Sequence, residues 1–132
     1  MNVLVDTHYL IWSLVEPERI RPDAVDILEN TDHVKLVSVV SFWEIALKYS
    51  LGKLDLRNIT PQGLLEAATD SGYQVLPVDP EDAASSYQLV RSPDHKDLFD
   101  RLLVWQCIRN ELTMLTSDSR MEAYGEQGLK LF

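Results

Sequence analysis

Four acidic residues stand where predicted strands end or predicted helices begin. Asp6 follows the first apolar run of the chain, and Asp118 follows a late one. Glu44 and Asp100 lie in the first turns of two predicted helices. The carboxyl ends of parallel strands meet at one edge of a sheet, so these side chains are expected to converge there. Carboxylates from separate segments are the ligands that a hard divalent cation such as Mg²⁺ requires.

Each acid also has a purely structural interpretation, because acidic side chains cap helix N-termini or interact favourably with the helix dipole. The run Ser41-Phe-Trp-Glu44 matches a capping box, in which Glu44 would bond back to the backbone. Capping explains each position but not the convergence of all of them on one sheet edge. The acids placed for such roles are Asp6, Asp97, Asp100 and Asp118, with Asp23 and Asp79 as comparable controls outside the predicted site.

Apolar periodicity divides the chain into alternating strands and helices. Aliphatic and β-branched runs predict strands over residues 3–5, 34–40, 73–78, 113–116 and 129–131. Capping residues, prolines and glycines delimit the intervening helices, including those over 42–51, 60–70, 80–90 and 98–110. The last of these helices is predicted to turn Leu98, Phe99, Leu102, Leu103 and Ile108 inward. This alternation predicts an α/β fold, a central parallel sheet of four to five strands with helices on both faces.

Length and composition favour one domain spanning residues 1–132, since 132 residues at 45% hydrophobic content can form a continuous core. Asp6 and His8 interrupt the first apolar run too early for a signal peptide, and no run approaches the ~20 residues of a membrane span. Cys107 is the only cysteine, which fits a reducing compartment. We therefore expect a soluble, cytoplasmic protein.

The charge of the chain opposes nucleic-acid binding. Twelve Lys and Arg residues stand against 21 Asp and Glu residues, a formal net charge of -9. The objection weakens if several acids converge on divalent cations, because the ions then supply the largest local positive charge. An acidic protein also suits a basic protein partner.

Other kinds of catalytic site find little support. His8, His33 and His95 do not form a metal-ligand spacing, and no Ser/His/Asp or Cys/His arrangement is apparent. There is no glycine-rich phosphate loop, which argues against a nucleotide-binding enzyme.

Four motifs carry a family resemblance over essentially the whole chain. They are Val-Leu-Val-Asp6-Thr7-His8, Ser41-Phe-Trp-Glu44-Ile-Ala-Leu-Lys48, His95-Lys-Asp97-Leu-Phe-Asp100-Arg101 and Leu115-Thr116-Ser117-Asp118. In this order and spacing they resemble a PIN-domain nuclease, and most closely the VapC-type toxins of bacterial toxin-antitoxin pairs. One departure is Leu98, where the family often has Pro. Proline there presets the first helical turn, so the change should affect rigidity rather than chemistry.

The resemblance implies a PIN-like three-layer α/β/α fold and a metal-dependent ribonuclease. It implies that Asp6, Glu44 and Asp100 bind one or two Mg²⁺ or Mn²⁺ ions, that Asp118 is a fourth ligand and that Asp97 is a further candidate. It also implies a small antitoxin, VapB-like or of another family, and a homodimer. Trp12, Leu14 and Leu51 are apolar candidates for an interface, although burial in the core explains them equally well.

Several neighbours of the acids have weaker assignments. By analogy with the family, Thr7, Thr116 and Ser117 would order metal-bound water or the acids, or they are simply turn and cap hydroxyls. Lys48 could meet a phosphate, whereas Arg101 is placed to pair with Asp97 one turn away. His95 is assigned to fixing its loop rather than to catalysis.

The resulting hypothesis is hydrolysis of RNA phosphodiester bonds by metal-activated water. Two other classes stay open: a catalytically silent PIN-like binding module, and a metal-dependent phosphatase for small phosphoesters. The intact acid set argues against the first. The second lacks a D-x-D motif after the first strand, where the sequence reads Asp6-Thr7-His8.

Overall fold

A computed structural model describes all 132 residues and confirms the predicted α/β class. The strands are β1 (Asn2–Val5), β2 (Val34–Ser38), β3 (Gln74–Leu76), β4 (Thr113–Leu115) and β5 (Lys130–Leu131). The α-helices are α1 (Thr7–Val15), α2 (Pro22–Glu29), α3 (Val39–Ser50), α4 (Pro61–Asp70), α5 (Pro80–Ser85) and α6 (Leu98–Asn110). Short 3₁₀ segments span Pro17–Arg19, Ser86–Gln88 and Ser119–Gln127.

The five strands form one parallel sheet with two separate apolar layers. Successive strand residues face opposite sides of a sheet, so Val3 and Val5 of β1 pack on one face and Leu4 on the other. The first face packs against residues of α1, α2 and α4, and the second against α6 and the 119–127 segment. The sheet is therefore covered on both sides, as buried parallel strands require.

The strand order, β3-β2-β1-β4-β5, creates a switch point beside β1. The chain runs outward from β1 through β2 to β3, and then returns to the other side of β1 with β4 and β5. Val5 at the end of β1 pairs in register with Leu115 at the end of β4. The connections after these two strands leave in different directions, which opens a crevice at their carboxyl ends.

The start of α3 differs from the prediction. The helix begins at Val39, and its N-cap is Ser38, whose hydroxyl accepts a hydrogen bond from the Val40 N–H at 3.0 Å. Ser41 is thus inside the helix, and the proposed capping box with Glu44 is wrong. The valine-rich run was predicted as strand through Val40, but the Ser38 cap ends the strand earlier.

Two other expectations about helices need correction. The helix predicted over 80–90 is broken, because α5 ends at Ser85 and a 3₁₀ turn follows. Leu98 does not face inward but is 78% exposed, since it lies at the very first position of α6. None of the helices combines the length and apolar character needed to cross a bilayer.

Candidate active site

Asp6 lies in the crevice, at the position immediately after β1. Its side chain is 4% exposed, and Oδ1 accepts a hydrogen bond from the Tyr9 N–H at 2.8 Å, which caps α1. Oδ2 accepts a hydrogen bond from the hydroxyl of Thr116, the residue that follows β4. Burial raises the pKa of Asp6, although these two hydrogen bonds oppose the rise. The carboxylate is thereby held by both strands of the switch point.

Glu44 is buried on the second turn of α3, with 2% of its surface exposed. Its Oε2 accepts a hydrogen bond from the ammonium group of Lys48 one turn further along, while Oε1 is buried without any hydrogen-bond partner. Partial burial opposes the charge on Lys48, but the hydrogen bond and the negative charge of Glu44 raise its pKa overall. A buried carboxylate oxygen without a donor is unfavourable and calls for a partner that the protein itself does not supply.

Asp100, on the first turn of α6, is held by a buried histidine. Nε2 of His95 lies 3.1 Å from Oδ2 of Asp100, and Nδ1 lies 2.9 Å from the hydroxyl of the buried Tyr124. Burial raises the pKa of Asp100 to about 6, and the negative charges of Asp97 and Glu44 add to the rise. These acids are therefore close enough to repel one another.

Asp118 caps the 119–127 segment and forms a two-pronged ion pair with Arg120. The Arg120 Nε and Nη2 atoms lie 3.0 and 2.8 Å from its two oxygens. The hydrogen bonds from Arg120 lower the pKa of Asp118. Ligand atoms of His95, Asp100 and Asp118 lie within 4.8 Å of one another, and the charge of Asp118 also raises the pKa of Asp6. Asp118 therefore lies close to Asp100 and acts electrostatically on Asp6, whereas Asp6 and Glu44 are not part of the close group of ligand atoms.

The other predicted residues differ in how closely they join this cluster. Asp97 caps α6 by accepting a hydrogen bond from the Asp100 N–H at 3.0 Å. The Thr7 hydroxyl donates to Ser41 at 2.9 Å, so it links α1 to α3 rather than contacting an acid. Ser117 is exposed and makes no side-chain hydrogen bond.

Arg101 does not pair with Asp97 as predicted. Its Nη2 instead donates to the backbone carbonyl of Leu89 at 2.9 Å. This contact joins α6 to the segment after α5, twelve residues earlier in the chain. The spacing of four residues between Asp97 and Arg101 permits a pair, but it does not determine the direction that the Arg101 side chain takes.

Sequence reasoning missed three residues that hold the acids directly or through a neighbour: His95, Tyr124 and Arg120. His95 was assigned to its loop, and its contact with Asp100 was not foreseen, although both occur in the same motif. Tyr124 lies 29 residues from His95 in the chain, and no local pattern marked it. Arg120, which neutralises Asp118, was likewise unassigned, but its position two residues away could have signalled the pair.

The fold and the site define an α/β protein with a buried carboxylate cluster at the switch point of a parallel sheet. The chain belongs to the PIN domain family, whose model matches residues 3–127. A comparison with curated proteins finds no match.

Several solved structures share the fold at low sequence identity. VapBC2 from Rickettsia felis, bound to a DNA fragment from its promoter, is 14% identical with a TM-score of 0.72, covering 100% of this chain and 98% of that one. DNA-bound VapBC from Salmonella typhimurium is 17% identical with a TM-score of 0.69, covering 100% and 97%. Mycobacterium tuberculosis VapC20, described as a sarcin-ricin loop cleaving toxin, is 17% identical with a TM-score of 0.61, covering 93% and 95%. The predicted likeness to VapC-type structures is thus confirmed for the fold.

Proposed function

We propose that this chain is a metal-dependent endoribonuclease toxin, consisting of a single PIN domain and neutralised by a cognate antitoxin. The observation that carries the proposal is Glu44, whose Oε1 is buried beside other acids without a donor. Asp100, with a pKa of about 6, indicates the same deficit of positive charge. The membership of the PIN domain family supports a nuclease.

The donor set fits a hard divalent cation, since the acids offer only oxygen ligands and Glu44 has one oxygen unused. Asp6, Glu44 and Asp100 would hold one or two Mg²⁺ or Mn²⁺ ions, with Asp118 completing the set and Asp97 nearby. When bound, such an ion lowers the pKa of water and stabilises negative charge on a phosphoryl group.

The protein's own residues prepare this arrangement. Tyr9 and Thr116 fix both oxygens of Asp6, and His95 fixes one oxygen of Asp100. Lys48 balances part of the charge of Glu44. Side chains held in this way are already positioned before a substrate arrives, so little reorganisation is needed on binding.

The proposed partners are an RNA substrate, a small antitoxin and a second copy of the chain, in the cytoplasm. VapBC2 from Rickettsia felis and VapBC from Salmonella typhimurium are among the solved structures with this fold. An apolar stripe on α3 supports a protein interface, because Val39, Trp43 and Leu47 are 44, 64 and 42% exposed at helical spacing. Leu51 extends this stripe. Trp12 and Leu14, the other predicted interface residues, are half-buried and pack against the core.

The test is cleavage of a structured RNA with Mg²⁺, with and without EDTA. We expect wild-type protein to cut the RNA only when the metal is present. Asp6→Asn should reduce the rate at least about 100-fold, because it removes a ligand charge. The matched control is Asp79→Asn, since Asp79 also caps a helix after a strand but is exposed. This control should cut at the wild-type rate.

Four outcomes would contradict the proposal. Cleavage that survives EDTA would exclude a metal-dependent reaction, and equal cleavage by Asp6→Asn would exclude this site. Hydrolysis of p-nitrophenyl phosphate without RNA cleavage would favour a phosphatase. Mg²⁺ should also raise the melting temperature of wild type by several degrees, because only the native state binds it, and an unchanged temperature would argue against a metal site.

A further inference from the structure

A cavity of about 340 Å³ adjoins the acidic cluster and has several cationic residues in its wall. It lies between the 91–96 loop and the start of α6. Three of its lining residues are cationic, namely Arg91, Lys96 and Arg101, and His95 also lines it. Only one hydrophobic residue, Leu98, contributes to the wall. The wall of the cavity therefore carries cationic residues and no carboxylate.

The three cations are unusual in a chain of net charge -9, because none of them pairs with a carboxylate. Six of the 12 Lys and Arg residues form ion pairs, namely Arg19, Arg21, Lys48, Arg57, Arg109 and Arg120. Half of the remaining six therefore meet at this one cavity. The positive charge of these three residues is therefore not compensated by ion pairs within the protein.

Arg101 shows the lack of compensation most clearly. Its Nη2 donates to the Leu89 carbonyl, whereas its Nη1 is buried without a hydrogen-bond partner. Because no carboxylate pairs with this guanidinium group, its positive charge remains uncompensated beside the cavity. Arg91 and Lys96 are exposed at the mouth of the same cavity and have flexible side chains that can close on such an anion.

The cavity is directly connected to the proposed reaction centre. His95 lines the cavity and also contacts Asp100 at 3.1 Å, and Arg101 follows Asp100 in α6. We propose that the cavity binds a backbone phosphate of the RNA strand, adjacent to the phosphate that is cleaved; this inference rests on the proposed function. The proposed reaction brings an RNA strand to Asp100, the residue next to Arg101 in α6, which favours RNA over an acidic peptide as the occupant. The cavity offsets the repulsion between RNA and an acidic protein.

The test compares two double variants that remove the same charge. Arg91→Ala with Lys96→Ala empties the mouth of the cavity, and neither side chain makes a hydrogen bond that folding requires. Lys53→Ala with Lys130→Ala is the matched control, because both lysines are exposed, unpaired and outside the cavity. Binding is measured by fluorescence anisotropy with a 12-nucleotide single-stranded RNA, in an Asp6→Asn background that leaves the strand intact.

The cavity variant should bind the RNA about tenfold more weakly, since two charge-assisted contacts are lost. Its plot of log affinity against log salt should be shallower by about 0.7, the value for one phosphate on a single strand. The control should match the parent within about twofold. In the cleaving protein, the cavity variant should raise KM and leave kcat nearly unchanged.

Equal binding by the two double variants would overturn the inference. A loss seen only with 5′-phosphorylated RNA, and not with 5′-hydroxyl RNA, would assign the cavity to a terminal phosphate and would also overturn it. Displacement of RNA by a poly-glutamate peptide that needs Arg91 and Lys96 would assign it to an acidic protein segment instead. If wild type cuts RNA while the cavity variant equals its control, only this inference fails; if wild type neither binds nor cuts RNA, the proposed function fails first.

Discussion

Two buried carboxylates in this molecule have opposite surroundings. Asp82 on α5 is 6% exposed, and each of its oxygens has a donor: Arg109 Nε at 3.0 Å and Asn110 Nδ2 at 3.2 Å, both on α6. Glu44 is more deeply buried, but one of its oxygens has no donor at all. Both residues are acids beneath the surface, and only Asp82 is fully satisfied.

The difference separates an acid whose hydrogen bonds are complete from the acids that we propose as metal ligands. A buried carboxylate is tolerated when hydrogen bonds and a counter-charge replace water, as Arg109 and Asn110 do for Asp82. At the sheet edge, Asp100 has burial and neighbouring acids against it, which raise its pKa to about 6. Under the proposed function, a bound divalent cation would offset the repulsion between these acids.

The sharpest way to test this contrast is to neutralise one acid from each site. Asp100→Asn should lower RNA cleavage at least about 100-fold, because it removes a proposed metal ligand, and it should leave the metal-free protein as stable as before or more so. Asp82→Asn should do the reverse, with near-normal cleavage and a loss of about 1–3 kcal/mol in the free energy of unfolding. Cleavage assays and urea unfolding in EDTA measure the two effects.

Either of two results would contradict this difference between Asp82 and Asp100. If Asp100→Asn destabilises the metal-free protein as much as Asp82→Asn, the carboxylate of Asp100 is a structural group. If Asp82→Asn abolishes cleavage while the fold survives, the α5–α6 contact belongs to the active site.

The pH dependence of stability provides a second test. The folded protein keeps the Asp100 proton up to about pH 6, whereas the unfolded chain releases it near 3.8. The folded state binds more protons in this window, so the stability of the metal-free protein falls as pH rises from about 4 to about 6. Asp100 should contribute up to about 3 kcal/mol to this fall. Burial raises the pKa of Asp6 as well, which adds in the same direction.

Urea unfolding of wild type and Asp100→Asn across pH 4 to 7 in EDTA isolates this contribution. The variant should gain stability relative to wild type as pH rises, and saturating Mg²⁺ should reduce the difference by favouring the ionised form in wild type. Parallel stability curves for the two proteins would show that Asp100 is not strained by its neighbours.

Much of the fold was predictable because it depends on local patterns. The helix over 98–110 was predicted with its observed bounds, since Asp97 caps its start. The predicted second strand was too long, because valine favours strands on average and the Ser38 hydroxyl decides the actual boundary. Leu98 was predicted to face inward but is exposed, because apolar periodicity does not show whether the first residue of a helix has other side chains packed against it.

The site was predictable as a set of acids but not as a network of contacts. Strand ends and helix starts gave the positions of Asp6 and Asp118, and the family resemblance was needed to assign Glu44. The contacts that fix these acids join residues far apart in the chain. Thr116 is 110 residues from Asp6, and Tyr124 is 29 from His95. Such pairs depend on how strands and helices pack, which a single sequence does not reveal.

Asp100 and Asp82 also differ in the number of side chains that hold them. His95 is the one side-chain partner of Asp100, whereas Asp82 has two. With Tyr124 donating to Nδ1, the Nε2–H of His95 donates to Asp100 Oδ2; the opposite tautomer would turn a lone pair toward the carboxylate. His95 is therefore a positioning residue for Asp100. Its replacement by leucine should raise the Mn²⁺ concentration needed for half-maximal binding and cleavage about 10- to 100-fold.

Conservative variants separate positioning from simple packing. His95→Gln retains an N–H donor and should recover part of the metal affinity that His95→Leu loses, and Tyr124→Phe should show a smaller loss because it only relaxes the choice of tautomer. His33→Leu is the control, since His33 contacts the N-terminal amine of Met1 and no acid of the site. Titration calorimetry with Mn²⁺ measures all four. Unchanged Mn²⁺ affinity in His95→Leu would mean that Asp100 keeps its orientation without His95. His95 would then matter less to Asp100 than Arg109 does to Asp82.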